Sequence, residues 1–172
     1  MNLSENTSVA VGERAPDFQL KTQTGQDWRL SENTGSVIAL LFYPKDETLV
    51  CTKQMCSLRD HWADYLETKA LIIGVSPGTV KEHGEFYRRH NLPITLLADT
   101  DRSVTQTYGF HWLLPTTFMR SVVIVDAKGF IRTRRVMLRA FRPSDRSVIT
   151  SIYSARADLF TEKYKTMAKK ID

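Results

Sequence analysis

Two cysteines, Cys51 and Cys56, are the only ones in the 172-residue chain, and both lie in the stretch Phe42–Asp60. A thiolate can attack an electrophile, ligate a metal or exchange with a disulfide. The flanking residues favour attack. The apolar run Val37–Tyr43 has the length and make-up of a buried strand. Pro44 ends it, because proline brings no N–H to a ladder. After a short polar turn, Met55, Leu58, Trp62, Tyr65 and Leu66 recur at helical spacing. Cys51 therefore falls at or just inside a helix N-terminus. Unpaired backbone N–H groups and the positive end of the helix dipole favour a thiolate there.

The elements that must carry this joint can be read outward from it. Ala15–Leu20 and Gln26–Leu30 flank Thr24-Gly25 and predict a β-hairpin. Val37–Tyr43 is expected as a central strand and Thr48–Thr68 as the helix with the cysteines. Ala70–Ser76 reads as a second buried strand and Thr79–His90 as a helix, with Val80, Phe86 and Tyr87 inward and Pro93 beyond its end. Ile94–Ala98 is a short strand. Thr100–Tyr108 is a short helix closed by Gly109, and Phe110–Met119 an aromatic-rich loop. A second hairpin joins Ser121–Asp126 to Phe130–Leu138, and Pro143–Lys169 reads as a terminal helix. Strands alternating with helices predict an α/β sandwich around a mixed sheet.

Composition sets the class. Hydrophobic residues make up 42% and charged residues 25% of the chain, which marks a globular protein. Residues 1–11 read as a flexible lead-in and residues 12–172 as one domain. The first residues hold no apolar signal core and every apolar run is too short to span a bilayer, so a cytoplasmic protein is expected. In such a reducing compartment, a disulfide between two cysteines is catalytic rather than structural. The net charge of +5 is mild and comes without a nucleic-acid motif. Arg132, Arg134, Arg135, Arg139, Arg142 and Arg146 form a basic segment that reads as a solvated face or a charged edge strand rather than a nucleic-acid surface. His61, His83, His90 and His111 show no metal-ligand spacing with the cysteines. His61 and His83 are expected on solvated helix faces, and Trp112 as a packed loop aromatic.

Pro44-x-x-x-Thr48-x-x-Cys51 resembles the active-site pattern of the peroxiredoxins, and Cys56 resembles the second cysteine of their bacterioferritin-comigratory-protein, or peroxiredoxin Q, subgroup. Gly12–Phe18, Phe42–Asp46, Ile73–Ser76, Leu96–Asp99 and Tyr108-Gly109 are similar to further landmarks of that family. Arg120 sits where the family carries its active-site arginine. The resemblance implies a thioredoxin-like fold with an N-terminal β-hairpin extension, and a cofactor-free peroxidase acting on hydrogen peroxide and organic hydroperoxides. Cys51 would be oxidised to a sulfenic acid, and Cys56 would resolve it to an intramolecular disulfide. Thioredoxin or a similar dithiol would reduce that disulfide. A monomer is implied, with a homodimer through the active-site side of the sheet as the variant. Arg120 would supply fixed charge and donors to the sulfur and peroxide. Thr48 would hydrogen-bond the peroxide as donor or acceptor, and Pro44 would shield the site. Two departures stand out. Leu49-Val50 replaces the usual Pro-Gly, and Gln54 stands where glutamate is usual.

Spacing adds one expectation. Residues i and i+5 of an α-helix lie about 8–9 Å apart at Cα, beyond the roughly 7 Å limit for a disulfide. The first turns of the helix must then unwind for Cys51 to meet Cys56. Other readings compete. Cys51 alone reads as a small buried hydrophobe, and Arg120 alone as a salt-bridge partner at a strand edge. Cys56 beside Met55 suits a core residue, which would leave a one-cysteine peroxidase. A redox sensor would use the same disulfide as a switch without turnover.

Overall fold

A computed structural model describes residues 9–108 and 119–168, with side chains described as far as residue 157. The strands are β1 (Gln19–Thr22), β2 (Asp27–Arg29), β3 (Ile38–Phe42), β4 (Leu71–Ser76), β5 (Thr95–Ala98), β6 (Met119–Val125) and β7 (Ile131–Leu138). The helices are α1 (Leu49–Asp60), α2 (Trp62–Glu67), α3 (Val80–His90), α4 (Ser103–Thr107) and α5 (Asp145–Ala168). Seven strands form one sheet in the order β2-β1-β5-β4-β3-β6-β7. The β3–β4 and β4–β5 pairs are parallel and the other pairs antiparallel, so the sheet is mixed as expected. Gly109 and residues 110–118 of the loop expected over Phe110–Met119, His111 and Trp112 among them, lie outside the described residues, as do residues 1–8 of the lead-in and 169–172; Met119 itself opens β6.

The apolar run that predicted β3 is explained by cover on both faces. Ala39 and Leu41 point into a core built with Met55, Leu58 and Tyr65 from α1 and α2 and with Val148 and Ile152 from α5. Ile38, Leu40 and Phe42 point into a second core with Val104, Tyr108 and Ile131. Each such leucine or isoleucine, fully buried, contributes about 1.5–3 kcal/mol. β4 crosses close to its neighbours at Gly74, where a Cβ would stand 2.8 Å from Leu96 Cδ2 and 3.2 Å from Tyr43 Cε1. The hairpin between β1 and β2 turns at Gly25, whose φ of +83° suits glycine.

Two expectations need correction here. The single helix over 48–68 is two helices, broken at His61, whose φ of −104° and ψ of 22° leave the helical region. The His61 ring donates from Nδ1 to the Ser57 carbonyl at 2.9 Å, alongside the His61 backbone N–H at 3.0 Å. The break resets the helical phase, so Tyr65 is buried while Leu66 is exposed rather than inward. His61 itself is exposed, as expected. His83 is not: it is fully buried, and its polar ring atoms are satisfied from within.

The basic segment agrees with an edge reading. β7 ends the sheet, and Arg132 donates from Nε to Asp126 Oδ2 at 2.6 Å. Arg135 is exposed on the same strand. Among the described residues, no helix is long and apolar enough to cross a membrane.

Candidate active site

The joint after β3 is built by caps. Thr48 is the N-cap of α1, and its Oγ1 accepts the Cys51 backbone N–H at 3.3 Å. Such a cap contributes about 1 kcal/mol. Cys51 is thus the third residue of α1 and is fully buried. Glu47, just before the cap, takes the left-handed conformation at φ +56°.

The strand register delivers Arg120. The β3–β6 ladder pairs Phe42 with Ser121 as its last rung, so Arg120 lies one residue further, level with the start of the joint. Side chains alternate along β6, and Arg120 shares its face with Val122 and Ile124, whose core also holds Cys51 and Met55. Its Nη2 donates to Cys51 Sγ at 3.1 Å and to the Arg139 carbonyl at 3.4 Å. Its Nη1 donates to Gln54 Oε1. Arg120 is only 1% exposed, and none of its partners among the described residues is a carboxylate. A buried charge without a counter-charge is costly. The sulfur of Cys51 is the group placed to supply one.

A cavity of about 590 Å³ opens at this point and is lined by Pro44, Thr48, Leu49, Val50, Arg120 and Arg139 among others. The structure therefore brings Pro44, Thr48 and Arg120 to one opening beside Cys51. Leu49-Val50 forms part of its apolar wall, and Leu49 is 82% exposed. Cys56 lies further along α1, half-buried, on the side facing α3. Its Sγ is 3.9 Å from His90 Nδ1. Both cysteines are free thiols, and α1 is unbroken between them.

Below the joint runs a buried polar chain. Tyr43 donates its O–H to Asp46 Oδ1 at 2.8 Å, and His83 Nδ1 meets Asp46 Oδ2 at 2.5 Å. His83 Nε2 lies 3.2 Å from the Leu97 carbonyl. A carbonyl only accepts, so Nε2 donates to Leu97. Burial, together with the neighbouring Asp46 carboxylate, pushes the Tyr43 hydroxyl well above the usual phenol range. This chain fixes the turn Pro44–Thr48 on α3. The sequence reading missed it, although His83, Phe86, Tyr87 and His90 stand at i, i+3, i+4, i+7 and share one face. It missed Gln54 and the Arg139 carbonyl as partners of Arg120 too. Gln54 showed only as a departure from the family pattern, and a backbone carbonyl leaves no trace in sequence.

Residues 11–134 match the AhpC/TSA family. The chain belongs to that family. Within it, the chain is 36% identical to peroxiredoxin Bcp of Bacillus subtilis over 124 residues, covering 72% of this chain and 78% of the relative. It is 41% identical to a putative peroxiredoxin bcp of Coxiella burnetii over 102 residues, covering 59% and 68%. The crystal structure of peroxidoxin BcpB from Mycobacterium tuberculosis aligns at a TM-score of 0.71 and 26% identity, covering 86% of this chain and 96% of that one. Peroxiredoxin Q of Xanthomonas campestris shares the fold at a TM-score of 0.68 and 19% identity, over 81% and 90% of the two chains. The expected thioredoxin-like α/β fold and the resemblance to the bacterioferritin-comigratory-protein and peroxiredoxin Q subgroup both stand.

Proposed function

We propose that Cys51 is the peroxide-attacking thiolate of this AhpC/TSA-family peroxidase, that Cys56 resolves it, and that thioredoxin or a similar dithiol returns the pair to thiols. The observation that supports this reading most is the Arg120–Cys51 contact. A guanidinium cannot lose its proton at working pH. Buried against a sulfur and a neutral amide, it favours the anionic sulfur.

Hydrogen peroxide or an organic hydroperoxide enters the cavity at Pro44 and Thr48. The Cys51 thiolate attacks the nearer oxygen, the O–O bond breaks, and the leaving oxygen departs as water or alcohol after taking a proton. Arg120 stabilises the charge building on that oxygen. The Thr48 hydroxyl accepts one N–H and still has its own O–H to offer to peroxide. Pro44 walls the opening. The sulfenic acid on Cys51 then meets Cys56 only when the first turns of α1 unwind, because an intact helix holds the pair too far apart. No cofactor takes part, a monomer is sufficient, and the cytoplasm is the compartment that suits a thiol cycle of this kind.

Thiols are titrated before and after one equivalent of peroxide, and consumption is then followed with thioredoxin, thioredoxin reductase and NADPH. Loss of both thiols together, followed by many turnovers, is the expected result. Oxidation that stops after one equivalent in the full coupled system would instead mean a redox switch. Amide exchange across Thr48–Leu58 should be faster in the disulfide form than in the dithiol form. Equal rates would refute unwinding.

A further inference from the structure

Cys56 sits well into α1, away from the helix N-terminus and from Arg120. An ordinary free thiol is mostly protonated at neutral pH, and only its thiolate attacks sulfur efficiently. The resolving step therefore needs somewhere for the Cys56 proton to go. His90, in the last turn of α3, stands beside it, with Nδ1 3.9 Å from Sγ. The other ring nitrogen, Nε2, is 3.2 Å from Glu47 Oε2. An ionised carboxylate only accepts, so the proton of the neutral ring resides on Nε2 and Nδ1 presents its lone pair to the thiol. The ring is held in place by its surroundings. Phe86 packs against it edge-on at 4.9 Å, and Arg59 Nη1 donates to the His90 carbonyl at 2.8 Å. Glu47 is held in turn by Arg89 Nη1 at 2.6 Å.

We propose that Cys56, His90 and Glu47 form a second catalytic constellation, in which His90 is the general base of the resolving step and Glu47 the positioning residue behind it. This rests on the reading of Cys51 as the oxidised cysteine. His90 Nδ1 takes the Cys56 proton. The Cys56 sulfur attacks the sulfur of the Cys51 sulfenic acid, the S–S bond forms and the S–O bond breaks. The departing hydroxide takes the proton back from His90 and leaves as water. The Cys56 sulfur is oxidised and the Cys51 sulfur reduced by one level each, so no outside oxidant or reductant enters. The S···N distance is long for a proton transfer, as resting-state catalytic hydrogen bonds often are before they tighten. A nucleophile, a base within reach and a carboxylate orienting that base are the general signature of an activated thiol.

The arrangement has a mechanical side. His90 touches Glu47 immediately before the N-cap of α1 and Cys56 two turns into the helix. The segment that must unwind is thereby pinned at both ends to one ring on α3. Cys51 can travel toward Cys56 while Cys56 stays with its base.

The test separates the two chemical steps. Wild type, His90→Asn and Glu47→Gln are each mixed with one equivalent of hydrogen peroxide. Sulfenic acid is trapped with dimedone over time, and disulfide formation is followed by mass spectrometry from pH 5.5 to 9. In His90→Asn, disulfide formation should slow about 100-fold relative to sulfenic acid formation, the usual scale for loss of a general base. The trapped adduct should accumulate, and the remaining rate should climb with pH toward ordinary thiol ionisation. Glu47→Gln should give a smaller slowing with the base still present, which keeps the idea testable should His90→Asn fail to fold. The charged groups around His90 are Glu47 at its Nε2, Arg89 on the Glu47 carboxylate and Arg59 on the His90 carbonyl, the last also bound to Asp60, and only Glu47 is altered in that variant. Unchanged ratios and pH profiles in both variants would overturn the proposal and leave the peroxidase reading intact. A wild-type protein that loses no thiol to peroxide would overturn both.

Discussion

The two cysteines share a helix and little else. Cys51 is fully buried at the capped N-terminus, 3.1 Å from a guanidinium fixed on a strand from elsewhere in the chain. Cys56 is half-buried, faces α3, and has the His90 imidazole at 3.9 Å. The first site holds permanent positive potential in a place where it cannot be lost. The second offers a group that can take up a proton and release it again. In the proposed cycle, the sulfur that must be ready before substrate arrives is matched to a permanent charge. The sulfur proposed to act once per cycle, after a rearrangement, is matched to a transferable proton.

That contrast can be broken from either side. Replacing Cys51 by Ser should abolish peroxide consumption, because a hydroxyl is a far weaker nucleophile toward peroxide oxygen than a sulfur. Undiminished turnover in the coupled assay would end the assignment. Arg120→Met keeps the bulk and removes the charge. It should lower kcat/KM for hydrogen peroxide by about 10²–10³, the scale for losing a transition-state donor, and stopped-flow measurement of sulfenic acid formation would read this directly. Cys56→Ser should leave the first oxidation measurable while turnover with thioredoxin collapses, and a sustained rate would make Cys56 a core residue only. The smallest effect belongs to Gln54→Glu. A carboxylate there would share the Arg120 charge with the Cys51 sulfur, and sulfenic acid formation should slow by a few-fold, on the order of 1 kcal/mol at a tenfold per 1.4 kcal/mol.

Much of this was legible in the chain because it is local. The apolar run Val37–Tyr43 and the Thr24-Gly25 turn announce their elements through periodicity and composition. The helix start near Thr48 follows from the turn of a polar segment into a helical pattern, although Thr48 itself proves to be its N-cap. Arg120 is different. Nothing in its neighbours says which face of β6 it occupies or that the Phe42–Ser121 rung sets it beside Cys51; family resemblance supplied that, and the register supplies the reason. His83 was misjudged as solvated because its partner, Asp46, is 37 residues away. The split at His61 was missed because both halves are apolar on one side, and only the phase change that leaves Leu66 exposed betrays it.

The break at His61 has an energetic consequence for the whole molecule. Asp145, at the start of α5, accepts from Ser57 Oγ at 2.5 Å and from Tyr65 O–H at 2.8 Å, so the end of α1 and Tyr65 of α2 are tied to a distant helix. Ahead of Ser57, α1 is held instead by Arg120 at Cys51 and Gln54 and by His90 at Cys56. In the proposed unwinding, each released residue would regain about 1–2 kcal/mol of backbone entropy, offsetting the roughly 1 kcal/mol lost with each hydrogen bond. The proposed opening would then be local, with Asp145 holding the end of α1 to α5. A change that stabilised this half-helix would raise the melting temperature and slow the enzyme at once.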